Sequence, residues 1–94
     1  MVDSKYQISV IGLGYVGLPL AIELGKYFKT LGFDLNKKRI NSLKKKIDLN
    51  HEITPKEIKS SKNIKFTYES NDITNSNIYI ICVPTPIDKK KNLT

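Results

Sequence analysis

The sequence is poor in the residues that build disulfides and metal clusters. Its 94 residues contain one cysteine, one histidine and no tryptophan. Cys82 has no second cysteine to pair with, which fits a reducing compartment such as the cytoplasm. His51 has no neighbour at a metal-ligand spacing, so we predict a surface position for it and no metal site. A chain of this length has room for one small domain and no more.

A long apolar run is also missing. The longest uncharged stretch, residues 6–22, has 17 residues that include three glycines and a proline, whereas a membrane-spanning helix needs about 20 mostly apolar residues. Asp3 lies where a signal peptide would carry basic residues. We therefore predict no membrane insertion and a cytoplasmic location.

Acidic residues are outnumbered, with 9 against 16 basic ones and a net charge of +7. The first 36 residues are neutral, so the whole excess lies in residues 37–94. A basic surface of this kind suggests a nucleic-acid partner. However, Lys44, Lys45 and Lys46 point in successive directions around a helix, and no nucleic-acid-binding motif is present. We interpret the excess as a solvated lysine-rich surface and predict no nucleic-acid partner.

Strand and helix patterns alternate along the chain. Short β-branched or apolar runs predict strands at residues 6–11, 30–33, 64–68 and 78–83. Between the first two, apolar residues recur every four positions, which predicts a helix over Val16, Leu20, Leu24 and Phe28. The last run, IYIICV, is apolar on both faces, which is typical of a parallel sheet covered by helices. This order predicts an α/β fold.

Two further helices and a turn are predicted between the second and fourth strands. Ile40, Leu43 and Ile47 form one apolar stripe on an otherwise basic helix that begins near Lys37. Thr54, Pro55 and Glu57 have the spacing of a helix start, with a threonine cap and a glutamate that reaches back to it. Residues 72–76 predict a brief helical turn.

The sequence GLGYVG, residues 12–17, fits the pattern G-x-G-x-x-G between a strand and a helix. In that pattern Gly12 permits the turn, Gly14 lets the backbone approach a pyrophosphate, and Gly17 lets the helix pack on the strand. The free N–H groups and the dipole at the helix start attract phosphate. A glycine-rich turn with a purely structural role, shielded by Tyr15, is the alternative interpretation.

Asp34 lies 20 residues after Gly14, at the end of the second predicted strand. A carboxylate there accepts hydrogen bonds from both ribose hydroxyls of an adenosine and repels a 2′-phosphate, which favours NAD over NADP. Alternatively, Asp34 caps the helix that begins near Lys37. Arg39, five residues further on, offers a guanidinium that could pair with a 2′-phosphate, but with Asp34 present we expect it to lie along the adenine or ribose. Together these features predict a Rossmann-like three-layer sandwich, here a partial one with about four parallel strands.

Three segments carry a resemblance to a known family. GLGYVGLPL at residues 12–20, Asp34 within FDLNKKRI, and VPTPID at residues 83–88 are similar to the nucleotide-sugar dehydrogenases. These enzymes oxidise the C6 alcohol of a UDP-sugar to a carboxylate. The details GLPLA and PTPID resemble the branch that uses UDP-N-acetylhexosamines for O-antigen or capsule more than the UDP-glucose branch. The resemblance covers nearly the whole chain and implies a homo-oligomeric parent protein.

The resemblance implies cofactor contacts at the matching residues. These are the backbone of Tyr15 and Val16 at the pyrophosphate, Asp34 and Arg39 at the adenosine ribose, and Val83, Pro84 and Thr85 on the neighbouring strand. Strand order supports the last group independently. In the order 3-2-1-4 the first and fourth strands are adjacent, so their carboxyl ends flank the crevice where a dinucleotide lies.

The resemblance also implies parts that these 94 residues do not contain. Family members carry a later cysteine that captures an aldehyde between two NAD-linked oxidations. Cys82 is not that residue, because it lies in a predicted buried strand without a neighbouring His or Lys to activate it. We interpret residues 1–94 as the N-terminal part of an NAD-binding domain. No catalytic residue is expected in it, and the UDP-sugar would bind through a substrate domain outside this sequence. A methyltransferase that uses S-adenosylmethionine and a non-catalytic nucleotide-sensing domain remain the alternatives.

Overall fold

Four parallel strands form one sheet in the computed structural model, which describes residues 3–83, with side chains from residue 6 onward. The strands are β1 (Asp3–Ile11), β2 (Phe28–Phe33), β3 (Ile64–Thr67) and β4 (Ile78–Ile81). Their order is β3-β2-β1-β4, and every pairing is parallel. The helices are α1 (Gly17–Leu24), α2 (Lys37–Lys44) and α3 (Pro55–Ser60), with a 3-10 turn at Ser70–Ile73. The predicted α/β fold with four parallel strands in the order 3-2-1-4 is confirmed.

One face of the sheet packs against all three α-helices. Alternate residues of the strands, among them Ile8, Val10 and Phe66, contribute to a single buried cluster. The other members of that cluster are Leu13, Leu18, Ala21, Ile22, Ile40, Leu43 and Ile58. The period of two in β1 and of three to four in the helices produces this cluster, because each element turns one apolar side toward it.

Val16, predicted on the apolar stripe of the first helix, is 69% exposed as the N-cap of α1, which buries Leu18, Ala21 and Ile22 instead. Phe28, expected on the first helix, begins β2, since α1 ends at Leu24 and a tight turn follows it. Ile47, expected on α2, lies beyond the end of that helix and is exposed. Lys46 takes the left-handed conformation, with φ 66°, and turns the chain away from the helix axis. The predictions for Phe28 and Ile47 were wrong because a local turn ends each helix before the apolar pattern in the sequence stops.

β4 is the edge strand of the described sheet. The sequence predicted burial on both of its faces, yet Ile78, Tyr79 and Ile81 are exposed by 42%, 44% and 66%. Within residues 3–83, β4 pairs only with β1, so one edge of it and part of its surface meet no other element. Cys82 follows the end of this strand instead of lying within it, and its half-buried side chain packs against the core.

The predicted capping box at α3 is confirmed. The Thr54 hydroxyl accepts a hydrogen bond from the Glu57 N–H at 3.1 Å, and Glu57 Oε1 accepts one from the Thr54 N–H at 2.9 Å. The Thr54 hydroxyl also donates to Glu57 Oε1 at 3.1 Å. The bond from the Thr54 N–H and this bond from its hydroxyl lower the pKa of Glu57. A helix of six residues has few internal hydrogen bonds, so its cap supplies a large part of its stability.

Candidate functional site

The carboxyl ends of the four strands bring the predicted site residues to one edge of the sheet. Beyond β1, the Gly12 N–H donates to the Phe33 carbonyl at 2.8 Å. Beyond β4, the Cys82 N–H donates to the Ile11 carbonyl at 2.7 Å. Gly12, Asp34 and Cys82 consequently leave three adjacent strands at the same level, and Val83 follows Cys82. In open α/β sheets a ligand lies in the crevice at this edge, where the strand order reverses.

The three glycine positions of the motif differ in whether the fold leaves room for a side chain. Gly12 has φ +101°, and a Cβ there would overlap the carbonyl oxygen of Cys82. A Cβ on Gly17 would overlap the carbonyl oxygen of Gly12. At Gly14, by contrast, an added Cβ would meet nothing within 4 Å. The fold requires glycine at the first and third positions, whereas the second leaves open space beside the backbone.

Backbone donors face that open space at the start of α1. Within residues 3–83, the N–H groups of Gly14, Tyr15 and Val16 donate no hydrogen bond, and no side chain caps the helix. Tyr15 and Val16 are 66% and 69% exposed. The first turn of α1 also carries no acidic residue. Unpaired N–H groups and the positive end of the helix dipole suit an anionic ligand at this point.

Asp34 lies directly against the glycine turn. Its Oδ2 accepts a hydrogen bond from the Leu13 N–H at 2.9 Å, and its Oδ1 accepts one from the Asn36 N–H at 2.9 Å. The alternative role as cap of α2 is wrong, since Asn36 is the cap and accepts from the Arg39 N–H at 3.0 Å. Each carboxylate oxygen of Asp34 keeps lone pairs for a further donor.

Arg39 is buried and holds the glycine turn from the other side. Its Nε donates to the Leu13 carbonyl at 2.9 Å, and its Nη1 donates to Asp48 Oδ1 at 2.6 Å. Its Nη2 is buried and has no hydrogen-bond partner in the part of the chain that the structure describes. The sequence suggested a contact with the adenosine for Arg39 and did not reveal this contact with the turn.

The sequence did not reveal the role of Asp48, which binds Arg39 behind the cleft. Its carboxylate is fully buried and accepts hydrogen bonds from the N–H groups of Asn50 at 3.0 Å, Glu52 at 2.8 Å and Ile53 at 2.9 Å. Burial acts to raise the pKa of Asp48, but the bonds from Arg39 and from these three N–H groups outweigh it and lower that pKa. One signal was available, because Asp48 and Asn50 have the spacing of an Asx turn.

An open cleft of about 290 Å³ connects these groups. Its lining consists of Gly12, Leu13, Gly14, Asp34, Asn36, Arg39 and Asn50. Four predicted site residues are thus brought together, and Tyr15, Val16 and Gly17 adjoin them at the start of α1. Val83 is 71% exposed and follows Cys82 at the same edge. Pro84 and Thr85 lie outside the described residues.

Residues 3–83 contain neither a helix that could span a membrane nor a cluster of metal-ligating side chains. No helix in that range is long and apolar enough to cross a membrane. No group of three or more His, Cys, Asp or Glu side chains there is arranged to hold a metal ion. His51 is exposed, as predicted.

Comparison with known proteins shows the family to which this chain belongs. Residues 6–94 match the family model described as UDP-glucose/GDP-mannose dehydrogenase family, NAD binding domain. A UDP-N-acetyl-D-glucosamine 6-dehydrogenase from Salmonella typhi is 53% identical over 87 residues, which is 93% of this chain and 20% of the relative. A protein of the same name from Pseudomonas aeruginosa is 45% identical over 85 residues, covering 90% of this chain and 20% of the relative.

A solved structure has the same fold. The UDP-D-ManNAc dehydrogenase from Pyrococcus horikoshii superposes with a TM-score of 0.77 at 31% identity, over 88% of this chain and 21% of that one. The chain therefore spans about one fifth of the length of the curated relatives that it matches.

Proposed function

Because the chain belongs to the UDP-glucose/GDP-mannose dehydrogenase family and matches its NAD-binding domain, we propose that it is the cofactor-binding part of an NAD-dependent nucleotide-sugar 6-dehydrogenase. The observation that carries this proposal is the hydrogen bond between the Asp34 carboxylate and the Leu13 N–H. That bond puts the group suited to a ribose and the turn suited to a diphosphate in one cleft.

The residues of the cleft fit NAD. Open space at Gly14 gives the diphosphate access to the unpaired N–H groups at the start of α1. Asp34 has lone pairs free for two ribose hydroxyls. The unpartnered Nη2 of Arg39 is a buried donor that an acceptor on the adenosine half would satisfy. Such an orphaned donor costs about 1 to 3 kcal/mol until it is paired. When bound, NAD supplies the acceptor for a hydride.

The charges around Asp34 favour NAD over NADP. The nearest guanidinium, on Arg39, already forms an ion pair with Asp48 and a hydrogen bond with the Leu13 carbonyl. The charge of Arg39 is therefore already balanced by the Asp48 carboxylate. A 2′-phosphate at this position would meet the Asp34 carboxylate, and like charges at close range repel strongly.

Asp34→Ala tests the binding site itself. We expect it to weaken NAD binding to the purified chain by about 1 to 3 kcal/mol, because a charge-assisted pair of hydrogen bonds to the ribose is lost. Calorimetric titrations with NAD, NADP, S-adenosylmethionine and a random oligonucleotide measure the effect and test the alternative functions. Asp72→Ala, which removes an exposed carboxylate outside the cleft, is the matched control.

We expect the chain to bind NAD much more tightly than NADP, and to bind S-adenosylmethionine and the oligonucleotide more weakly still. Unchanged NAD affinity in Asp34→Ala would contradict the ribose contact. Preference for S-adenosylmethionine would favour the methyltransferase, and oligonucleotide binding that weakens steeply with salt would favour a nucleic-acid partner.

The activity proposed for the whole protein is oxidation of the C6 alcohol of a UDP-N-acetylhexosamine to the uronate in polysaccharide biosynthesis. The two relatives described above are UDP-N-acetyl-D-glucosamine 6-dehydrogenases, which supports this sugar. The proposal includes a substrate and catalytic domain outside residues 1–94, a cytoplasmic location and a homo-oligomeric state. The apolar side chains exposed on β4 are a surface that such further parts could cover.

An assay of NADH formation tests the proposal that the catalytic groups lie outside residues 1–94. We expect the purified chain of 94 residues to produce no NADH from UDP-N-acetylglucosamine, UDP-N-acetylmannosamine or UDP-glucose. The same chain joined to the substrate domain of a relative is expected to produce NADH from the UDP-N-acetylhexosamines. Turnover by the 94 residues alone would show that catalytic groups lie within them. If the joined protein binds NAD but prefers UDP-glucose, the proposed sugar is wrong.

A further inference from the structure

Asp48 does not line the cofactor cleft, yet the cleft depends on it at two points. Its Oδ1 holds the Arg39 guanidinium at 2.6 Å and accepts from the N–H of Asn50, and both of these residues do line the cleft. We propose that Asp48 is a positioning residue for the cofactor site, which acts on the glycine turn through Arg39 and on the cleft wall through Asn50. This inference rests on the proposed function for its effect on NAD.

The peptide groups of Leu13 are held on both sides. Its N–H donates to Asp34 and its carbonyl accepts from Arg39 Nε, each at 2.9 Å. Leu13 is the residue between the first two glycines, and its side chain is buried. With a bond on each side, the backbone of Leu13 has little freedom to rotate. The direction in which the following N–H groups point therefore depends on both bonds.

Arg39 needs a partner to hold its side of this arrangement. A buried guanidinium is stabilised only when its charge is paired and its donors are satisfied. Asp48 supplies that pairing, and its own position is determined by three backbone N–H groups of the loop that follows. The carboxylate thus sits at a defined point in the core and keeps Arg39 in one rotamer. Without it, the long arginine side chain is free to leave the Leu13 carbonyl.

The Asp48 carboxylate also fixes the position of Asn50 in the wall of the cleft. Its bonds to Asn50, Glu52 and Ile53 bend residues 48–53 into a compact turn in which His51 takes the left-handed conformation, with φ 57°. This bend brings Asn50 to the cleft that Asp34 also lines. Loss of Asp48 is therefore expected to disturb two separate walls of one site.

Hydrogen exchange measured by NMR on the chain without ligand distinguishes local positioning from general stability. We expect Asp48→Asn to speed exchange of the Leu13 amide by about tenfold relative to the amides of Val10 and Leu31 in the sheet. Arg39→Lys keeps the positive charge but removes the Nε donor, and it is expected to have the same local effect. Asp72→Asn is the matched control, because Asp72 accepts a hydrogen bond from Thr67 outside the cleft.

NAD titration of the same folded variants gives the second measurement. We expect Asp48→Asn and Arg39→Lys each to weaken NAD binding by about tenfold or more. The double variant is expected to weaken it no further than Asp48→Asn alone, since Arg39 acts through the Leu13 contact that Asp48 also holds in place. Equal acceleration of all amides, or an unchanged Leu13 amide in Arg39→Lys, would overturn the inference. Unchanged NAD affinity in the folded variants would also overturn it. If the unaltered chain binds no NAD while the Leu13 effect is present, the proposed function fails and the positioning of the turn stands.

Discussion

Gly17→Ala is expected to destabilise the chain by about 3 kcal/mol or more, because overpacking against a rigid backbone forces neighbouring elements apart. The added Cβ would overlap the Gly12 carbonyl oxygen and press on the Cys82 side chain. Neither α1 nor β1 is free to move, since both contribute to the buried cluster. Urea unfolding followed by circular dichroism measures the loss.

Gly14→Ala is the matched variant, which we expect to keep its stability and to lose NAD affinity. Its Cβ meets nothing within 4 Å, so we expect stability to change by less than about 1 kcal/mol. The same Cβ stands where the diphosphate approaches the backbone, and NAD binding should weaken by about tenfold or more. Equal destabilisation by the two alanines would mean that the second glycine is also held by packing. Unchanged NAD affinity in Gly14→Ala would mean that the diphosphate does not lie against this turn.

The second large effect is expected for Asp48→Ala. Removing this carboxylate leaves the buried Arg39 charge unpaired, and loss of one partner of a buried ion pair costs about 3 to 5 kcal/mol. Three backbone N–H groups lose their acceptor as well. Because small domains are stable by only about 5 to 15 kcal/mol, much of the chain is expected to unfold in mild denaturant.

Glu23→Ala is the control for this variant. It removes an ion pair of similar length, 3.0 Å to Lys26, whose side chains are 59% and 37% exposed. Exposed pairs contribute about 1 kcal/mol or less. A loss in Asp48→Ala no larger than that in Glu23→Ala would show that the buried pair is not a main source of stability.

Asp48 also predicts a pH dependence. Burial acts to raise its pKa, but the bonds from Arg39 and from three backbone N–H groups hold the pKa in the folded state below the ordinary 3.8 of an aspartate. A carboxyl with a lowered pKa contributes stability above its unfolded value and loses that contribution as the pH falls through its folded value. We expect the unfolding midpoint in urea to drop below pH 3.8 by more in the unaltered chain than in Asp48→Asn. Equal drops would assign the acid sensitivity to other groups.

Sequence patterns were most informative where a local rule and the fold agreed. The first strand and the capping box at Thr54 each depend on nearby residues only, and each is found where the sequence predicted it. The position of Asp34 beside the glycine turn was also predictable, because the carboxyl ends of adjacent parallel strands lie at one edge of the sheet. Where the apolar period continued past a turn, as at Phe28 and Ile47, the pattern predicted too much helix.

The amino-acid sequence by itself determined the order of strands and helices, the glycine turn and the acidic residue at the end of β2. These features depend on spacing along the chain and on the backbone freedom that glycine has and other residues lack. Only the tertiary structure decided that Arg39 binds the Leu13 carbonyl, that Asp48 is buried beneath it, and that Asn36, not Asp34, caps α2. Those contacts join residues up to 26 positions apart. The free energy of these contacts depends on burial, which the pattern of charges along the sequence does not reveal. An aspartate such as Asp48 would be a solvated charge in an exposed loop, but in the core it is the partner of a buried arginine.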